Sequence, residues 1–308
     1  MLPFNTRGSG MRDDPPSRQH IRKTINGPPK ALRLPQLCKL EEISSVLLVR
    51  QQSPWNKYKP VLKCDIAGKV TIATRRSNPS RLQAVREYPK SDAEVLIQRF
   101  GCLQHDNILS SRDCFIDLNT LYAFVDDFPL TLGNLVSAAG IYPTEVEMAA
   151  IMSQVHTLVS SSAEILTNKI LDGLCYLGSF GLSHQSLSCR EILLGIDGKI
   201  KIACLDQCLE CTPIESQTKY LKALPAIIME LMQKYEKDAG IAGVDDLERW
   251  PVASDTFGFL SAASTRSLES LKMHPLVVSI HRPTENLVML ARAILCAGVA
   301  TYTYELEP

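Results

Sequence analysis

Tyr176–Asp206 reads YLGSFGLSHQSLSCREILLGIDGKIKIACLD. Leu174, Tyr176 and Leu177 close an apolar helical pattern, and Gly181 marks the turn that follows. A polar loop begins at His184, then Ile192, Leu193 and Leu194 form a strand-like run. Asp197-Gly198 supplies a turn before the alternating Ile200, Lys201, Ile202. The stretch therefore predicts helix, loop and hairpin in that order.

Upstream, the pattern predicts short strands around one helix. Val46–Val49, Val61–Ile66, Lys69–Thr74 and Leu82–Glu87 are strand-like, and Ser91 is placed to cap a helix through Glu94, Val95 and Ile97. Cys114–Leu118 and Leu121–Val125 predict a hairpin across Asn119 and Thr120. Downstream the signal is helical. Thr144–Leu177 is mostly helical in pattern, and removing Val155–Lys169 joins its two ends into one continuous amphipathic helix. Leu221–Tyr235 predicts a helix whose start Pro225 should break or kink, unless Pro225 lies in the first turn. Pro283–Ala297 predicts a last amphipathic helix.

This order resembles the eukaryotic protein kinases, in which a helix ends in YLHS, a loop reads HRDLxxxN and a hairpin leads to DFG. Tyr176, Leu177 and Ser179 match the helix end, His184 and Leu187 the loop, and Gly198, Lys201 and Ile202 the approach to DFG. Further matches follow in register. Gly68, Val70 and Ala73 resemble the second half of the phosphate-covering loop, Ala84-Val85-Arg86 sits where the family has VAIK, and LQHDNIL (Leu103–Leu109) resembles LxHPNIV. Asp126, Asp127, Phe128 and Leu132 resemble the hinge and the start of the C-lobe, Glu230-Leu231 fits the DxWSLGxIxxEL helix, and SLESLKMHPLV (Ser267–Val277) resembles SxxELLxHPF.

The resemblance implies an α+β, two-lobed kinase-like fold: a strand-rich N-lobe over residues 41–128 and a mainly helical C-lobe over 129–280. Thr144–Leu177 is longer than the one helix that the family has there, so 155–169 is expected to be an insert or an artefact of the coding sequence. A basic arm over 1–40 and a helical tail over 281–308 flank the two lobes. The arm carries eight Lys/Arg against two Asp and six prolines, a composition expected to stay disordered.

Phosphoryl transfer in this family needs a Lys on the phosphates, an Asp and an Asn on Mg²⁺, and a catalytic Asp. By resemblance those positions hold Arg86, Cys204, Glu191 and Ser186. Gly68, Arg86, Glu94, Asp126 and Asp206 are the remaining candidates for nucleotide binding, with Arg86 and Glu94 placed to form the family's ion pair. An alternative register puts Asp206 in the metal-binding role beside Glu191, leaving the base unreplaced. His184 is expected to pack and bond to backbone, as it does in the family.

Cys204, Cys208 and Cys211 form CxxxCxxC, with Cys189 a fourth candidate ligand for zinc; buried free thiols are the expected state, and no metal is assigned. Ten scattered cysteines and no secretory-type apolar core point to a reduced, intracellular setting, cytoplasmic or nuclear. A net charge of zero gives no sign of a nucleic-acid partner, and the apolar run Leu287–Ala300 is broken by Arg292 and too short to span a membrane. The leading expectation is a catalytically impaired pseudokinase that binds proteins, such as an active kinase, with no cofactor. The alternative is an active atypical Ser/Thr protein kinase using ATP and Mg²⁺.

Overall fold

The first half of the chain is a twisted sheet carrying one helix. In the computed structural model, which describes residues 47–152, 169–237, 241–278 and 285–298, the strands are β1 (Leu48–Arg50), β2 (Tyr58–Asp65), β3 (Lys69–Arg75), β4 (Asn78–Pro89), β5 (Asp113–Asp117) and β6 (Thr120–Val125). They lie in the order β1-β5-β6-β4-β3-β2, antiparallel except where β1 pairs in parallel with β5. The hairpin between β5 and β6 turns one residue earlier than the alternation predicts, with Leu118 in the left-handed region at φ 49°. Helix α1 (Ala93–Cys102) follows β4. Ala93, Leu96 and Phe100, at helical spacing, are its buried face. Asp92, not Ser91, occupies the N-cap position, and Ser91 Oγ donates to the Asp92 carboxylate instead.

The second half is mainly helical. A short strand β7 (Leu130–Thr131) leads into α2 (Leu132–Ser137), followed by α3 (Glu145–Met152) and α4 (Lys169–Ser179). The strands β8 (Leu182–His184), β9 (Ile192–Leu194), β10 (Ile200–Ile202) and β11 (Cys208–Glu210) then carry the catalytic-loop-like stretch. β10 pairs with β9, β9 with β7, and β11 with β8. Helices α5 (Pro213–Gln233), α6 (Asp255–Ala263), α7 (Leu268–Lys272), α8 (Pro275–Val278) and α9 (Glu285–Cys296) complete the chain. Apart from Lys169, which opens α4, the expected insert 155–169 lies outside the described residues, as does the arm 1–40.

Three helix starts repeat one device. Thr131, Thr144 and Thr212 each accept from the backbone N–H three residues on, while Asn134, Glu147 and Glu215 reach back to the backbone N–H of the threonine. Such reciprocal caps satisfy donors that the first helical turn leaves free. At α5 the cap fixes the outcome for Pro225. The helix begins twelve residues before it, with Pro213 in the first turn, and runs through Pro225 without ending there. Leu224, Ile227, Ile228 and Leu231 are buried around it, each worth about 1.5–3 kcal/mol relative to exposure, which offsets the lost backbone bond.

The main core joins the two halves. Leu96, Phe100 and Leu103 from the α1 region share one apolar cluster with Leu174 and Leu177 of α4 and with Tyr220 and Ile228 of α5. The LQHDNIL passage is stitched to β10: Ile202 N donates to Asn107 O, Leu109 N to Ile202 O, and Asn107 Nδ2 to Ile200 O. Gly173 of α4 is where the helix meets that strand, since an added Cβ would stand 2.9 Å from Ile202 Cδ1. In α9, Leu287, Leu290, Ala291 and Ile294 are buried. The chain is thus a mixed α+β fold, strand-rich first and helical second, consistent with a kinase-like fold. Among the described residues no helix is long and apolar enough to cross a membrane.

Candidate functional site

The segment from Leu182 to Glu191 is held from behind by α5. Tyr220, fully buried, donates its hydroxyl to Leu182 O at 2.8 Å and accepts from His184 N at 3.3 Å. By resemblance this is the place of the family's buttressing Asp, and a phenol supplies the bonds from a longer reach. His184 is also buried, and burial lowers its pKa against the opposing pull of Glu191 and Asp206. Its Nδ1 accepts from Ser186 N at 3.3 Å, which leaves Nε2–H to donate to Ala203 O at 3.2 Å. Both ring nitrogens are engaged with backbone, so His184 is a framework residue and not a base for Ser186.

Ser186 and Glu191 turn to local partners. The exposed Ser186 hydroxyl bonds to Gln207 Oε1. One carboxylate oxygen of Glu191 accepts from Ser188 N at 3.0 Å and Ser188 Oγ at 2.7 Å. Ser188-Cys189-Arg190-Glu191 is thus an S-x-x-E turn, the side-chain pattern of a capping box, and that signature is visible in the sequence. Asp206 lies in the short 3-10 turn Leu205–Gln207 and is exposed.

On the sheet side, the β2–β3 turn closes onto Arg86. Ala67 (φ 51°) and Gly68 (φ 100°) both adopt left-handed backbone, and Ile66 N donates to Gly68 O, so the turn is tight. The fold points the Ile66 and Ala67 carbonyls at β4. Arg86 is 5% exposed and donates to both, Nη1 to Ala67 O at 2.6 Å and Nη2 to Ile66 O at 2.8 Å. Cys204 reaches the same carbonyl, Sγ to Ala67 O at 3.2 Å, from a backbone with φ 60°. Burial pushes the Cys204 thiol up to about 12, with Arg86 pulling the other way, so the group stays protonated and donating at neutral pH.

Apolar side chains pack around this contact. Ile66, Val70, Ala84, Phe128, Leu193 and Ala203 form one buried cluster with Cys64 and Cys204. The expected Arg86–Glu94 ion pair does not form. Arg86 is committed to the turn carbonyls, while Glu94 is exposed on α1. The tie between α1 and the loop comes instead from Arg99, whose Nη1 donates to Leu205 O at 2.6 Å. Asp126 stands apart from all of these, exposed and 3.6 Å from Lys201 Nζ. Gly68, Arg86 and Cys204 are therefore brought together, and Glu94 and Asp126 face elsewhere.

No protein-family model matches the chain. Two curated proteins of Arabidopsis thaliana share a segment with it. Mitogen-activated protein kinase kinase kinase 1 is 32% identical over 107 residues, covering 35% of this chain and 15% of its own length. Mitogen-activated protein kinase kinase kinase 9 is 31% identical over 101 residues, covering 33% of this chain and 11% of its own. The chain therefore spans a small fraction of the relatives it matches. The likeness is partial and kinase-like.

Among the described residues no group of three or more His, Cys, Asp or Glu is placed to hold an ion. Cys208 is buried and pushed up to about 12 by that burial, and Cys189 Sγ contacts Ile227 O at 3.7 Å. β11 passes almost directly into α5 through Cys211 and Thr212. The interval available for an activation loop is correspondingly short.

Proposed function

We propose that this chain is a catalytically silent, protein-kinase-like domain that acts by binding proteins. The observation that carries the reading is the Arg86–Ala67–Cys204 contact, in which the chain's own backbone takes the bonds that a triphosphate and its metal would need. Guanidinium and thiol replace ammonium and carboxylate at two positions. The remaining oxygen at Glu191 is held by Ser188, and Ser186 has no base. These residues do not fit Mg-ATP, since a protonated thiol is a poor ligand for a hard cation and Arg86 would have to break two buried hydrogen bonds to meet a phosphate. The lobes at 41–128 and 129–280, an intracellular setting and a protein partner such as an active kinase belong to the same proposal.

The test is phosphoryl transfer by purified protein with Mg-ATP and a generic protein substrate. Transfer at background, unchanged in Asp206→Ala, is the expected result. Transfer that is abolished by Asp206→Ala would reverse the reading in favour of an active Ser/Thr kinase.

A further inference from the structure

A cavity of about 720 Å³ lies between the end of β6, the Gln104–Ser110 passage and the first residues of β4. That volume falls within the few hundred to a thousand Å³ of ligand-binding sites. The register explains why it exists. β4 pairs with β6 from Ala84 opposite Val125 to Pro89 opposite Thr120, and β6 ends at Val125. Leu82 and Gln83 pair only with β3, and the β3–β4 register jumps over Pro79–Arg81, so this end of β4 has no strand partner on its β6 side, beside the cavity.

The charges at the cavity are unequal. Asp113 is paired with Arg50, and Asp126 with Lys201. Arg81 and Arg112 are exposed guanidinium groups that line the cavity and make no side-chain hydrogen bond or ion pair among the described residues; Asp106 is the one lining carboxylate left to oppose them. His105, its pKa lowered mainly by burial, adds no full charge at neutral pH. Arg81 and Gln83 alternate with Leu82 along β4, so both reach one face, the face on which Phe124 closes the floor.

We propose that this cavity is a docking site for an extended peptide segment of a protein partner. The segment adds to the free edge of β4 and presents an acidic side chain, carboxylate or phosphate, to Arg81 and Arg112. Main-chain bonds to a strand edge give affinity in such additions, and forked guanidinium bonds to an anion select the side chain. The proposal rests on the reading of the chain as a protein-binding domain and names the chemistry of what it binds.

The probe is a fluorescein-labelled seven-residue peptide of alternating valine and threonine with a central glutamate, beside its glutamine and phosphoserine counterparts. Binding is read by anisotropy without nucleotide, and strand addition by amide exchange at residues 80–83. The glutamate or phosphoserine peptide should bind about tenfold tighter than the glutamine peptide, slow exchange at 80–83, and weaken about tenfold in Arg81→Ala and Arg112→Ala. A stronger phosphoserine arm would identify a phosphopeptide as the ligand. Both substituted residues are exposed, and unchanged circular dichroism will verify that the variants fold. No binding by either acidic peptide at millimolar concentration, indifference to the two arginines, or protection elsewhere would overturn the proposal. Because no nucleotide is present, such a failure leaves phosphoryl transfer as a separate and independent test of the proposed function.

Discussion

Tyr220 and Arg86 each hold one side of the catalytic-loop region, and they do it in opposite ways. On the helical side Tyr220 bonds the backbone at His184 and Leu182, keeping the loop in the frame that the family resemblance implies. On the sheet side Arg86 and Cys204 bond the backbone of the β2–β3 turn and spend their donors on the chain's own carbonyls. A framework position tolerates a new side chain if the same backbone groups stay satisfied. A chemical position does not, because a ligand needs groups that are free, and here they are spent internally.

The largest effect should come from the framework. Tyr220→Phe leaves the buried His184 N–H and Leu182 C=O without their shared partner, at a cost of about 2–3 kcal/mol. Thermal unfolding should fall by about 4–12 °C. A drop below about 1 °C would show that the loop does not depend on Tyr220.

An alkaline titration should separate the cleft thiol from its surroundings. Cys204 has its pKa raised by burial from 9.0 to about 12, so its contribution is fully present below pH 9 and is lost as pH rises toward 12. The stability advantage of the wild type over Cys204→Ala should therefore shrink by about 2 kcal/mol between pH 8 and pH 10.5, measured by urea unfolding under reductant. A constant difference would mean that the thiol is not buried as described.

Arg86→Met should cost less than Tyr220→Phe, about 1–2 kcal/mol. Two carbonyls lose a donor, but a buried charge is removed as well, and Ala67 O keeps its contact with Cys204. Equal or greater loss than in Tyr220→Phe would make the sheet side the main support and invert the comparison.

Much of this architecture was legible because it depends on local pattern. Alternation marked β2, β3, β4 and the β5–β6 hairpin. The parallel pairing of β1 with β5 left no local signal, since it is decided by chain segments more than 60 residues apart. The Arg86–Glu94 expectation failed for a similar reason: nothing in VAIK-like spacing reveals that two carbonyls of a tight turn will reach the guanidinium first. Two other signals were present in the residues and passed over. Thr212-Pro213 with Glu215 announces the true start of α5, and Ser188 with Glu191 announces a self-satisfied turn instead of a metal ligand.

The smallest expected effect tests the central claim most directly: thermal unfolding with and without millimolar Mg-ATP. A site binding at a hundredfold excess over Kd stabilises by about 2.7 kcal/mol, or about 5–11 °C for a domain of this size. With Arg86 and Cys204 committed to the β2–β3 turn, the shift should not exceed about 1–2 °C. A Mg-dependent shift above about 5 °C that Asp206→Ala reduces would contradict the account, because it would require the cleft to open and hold the nucleotide.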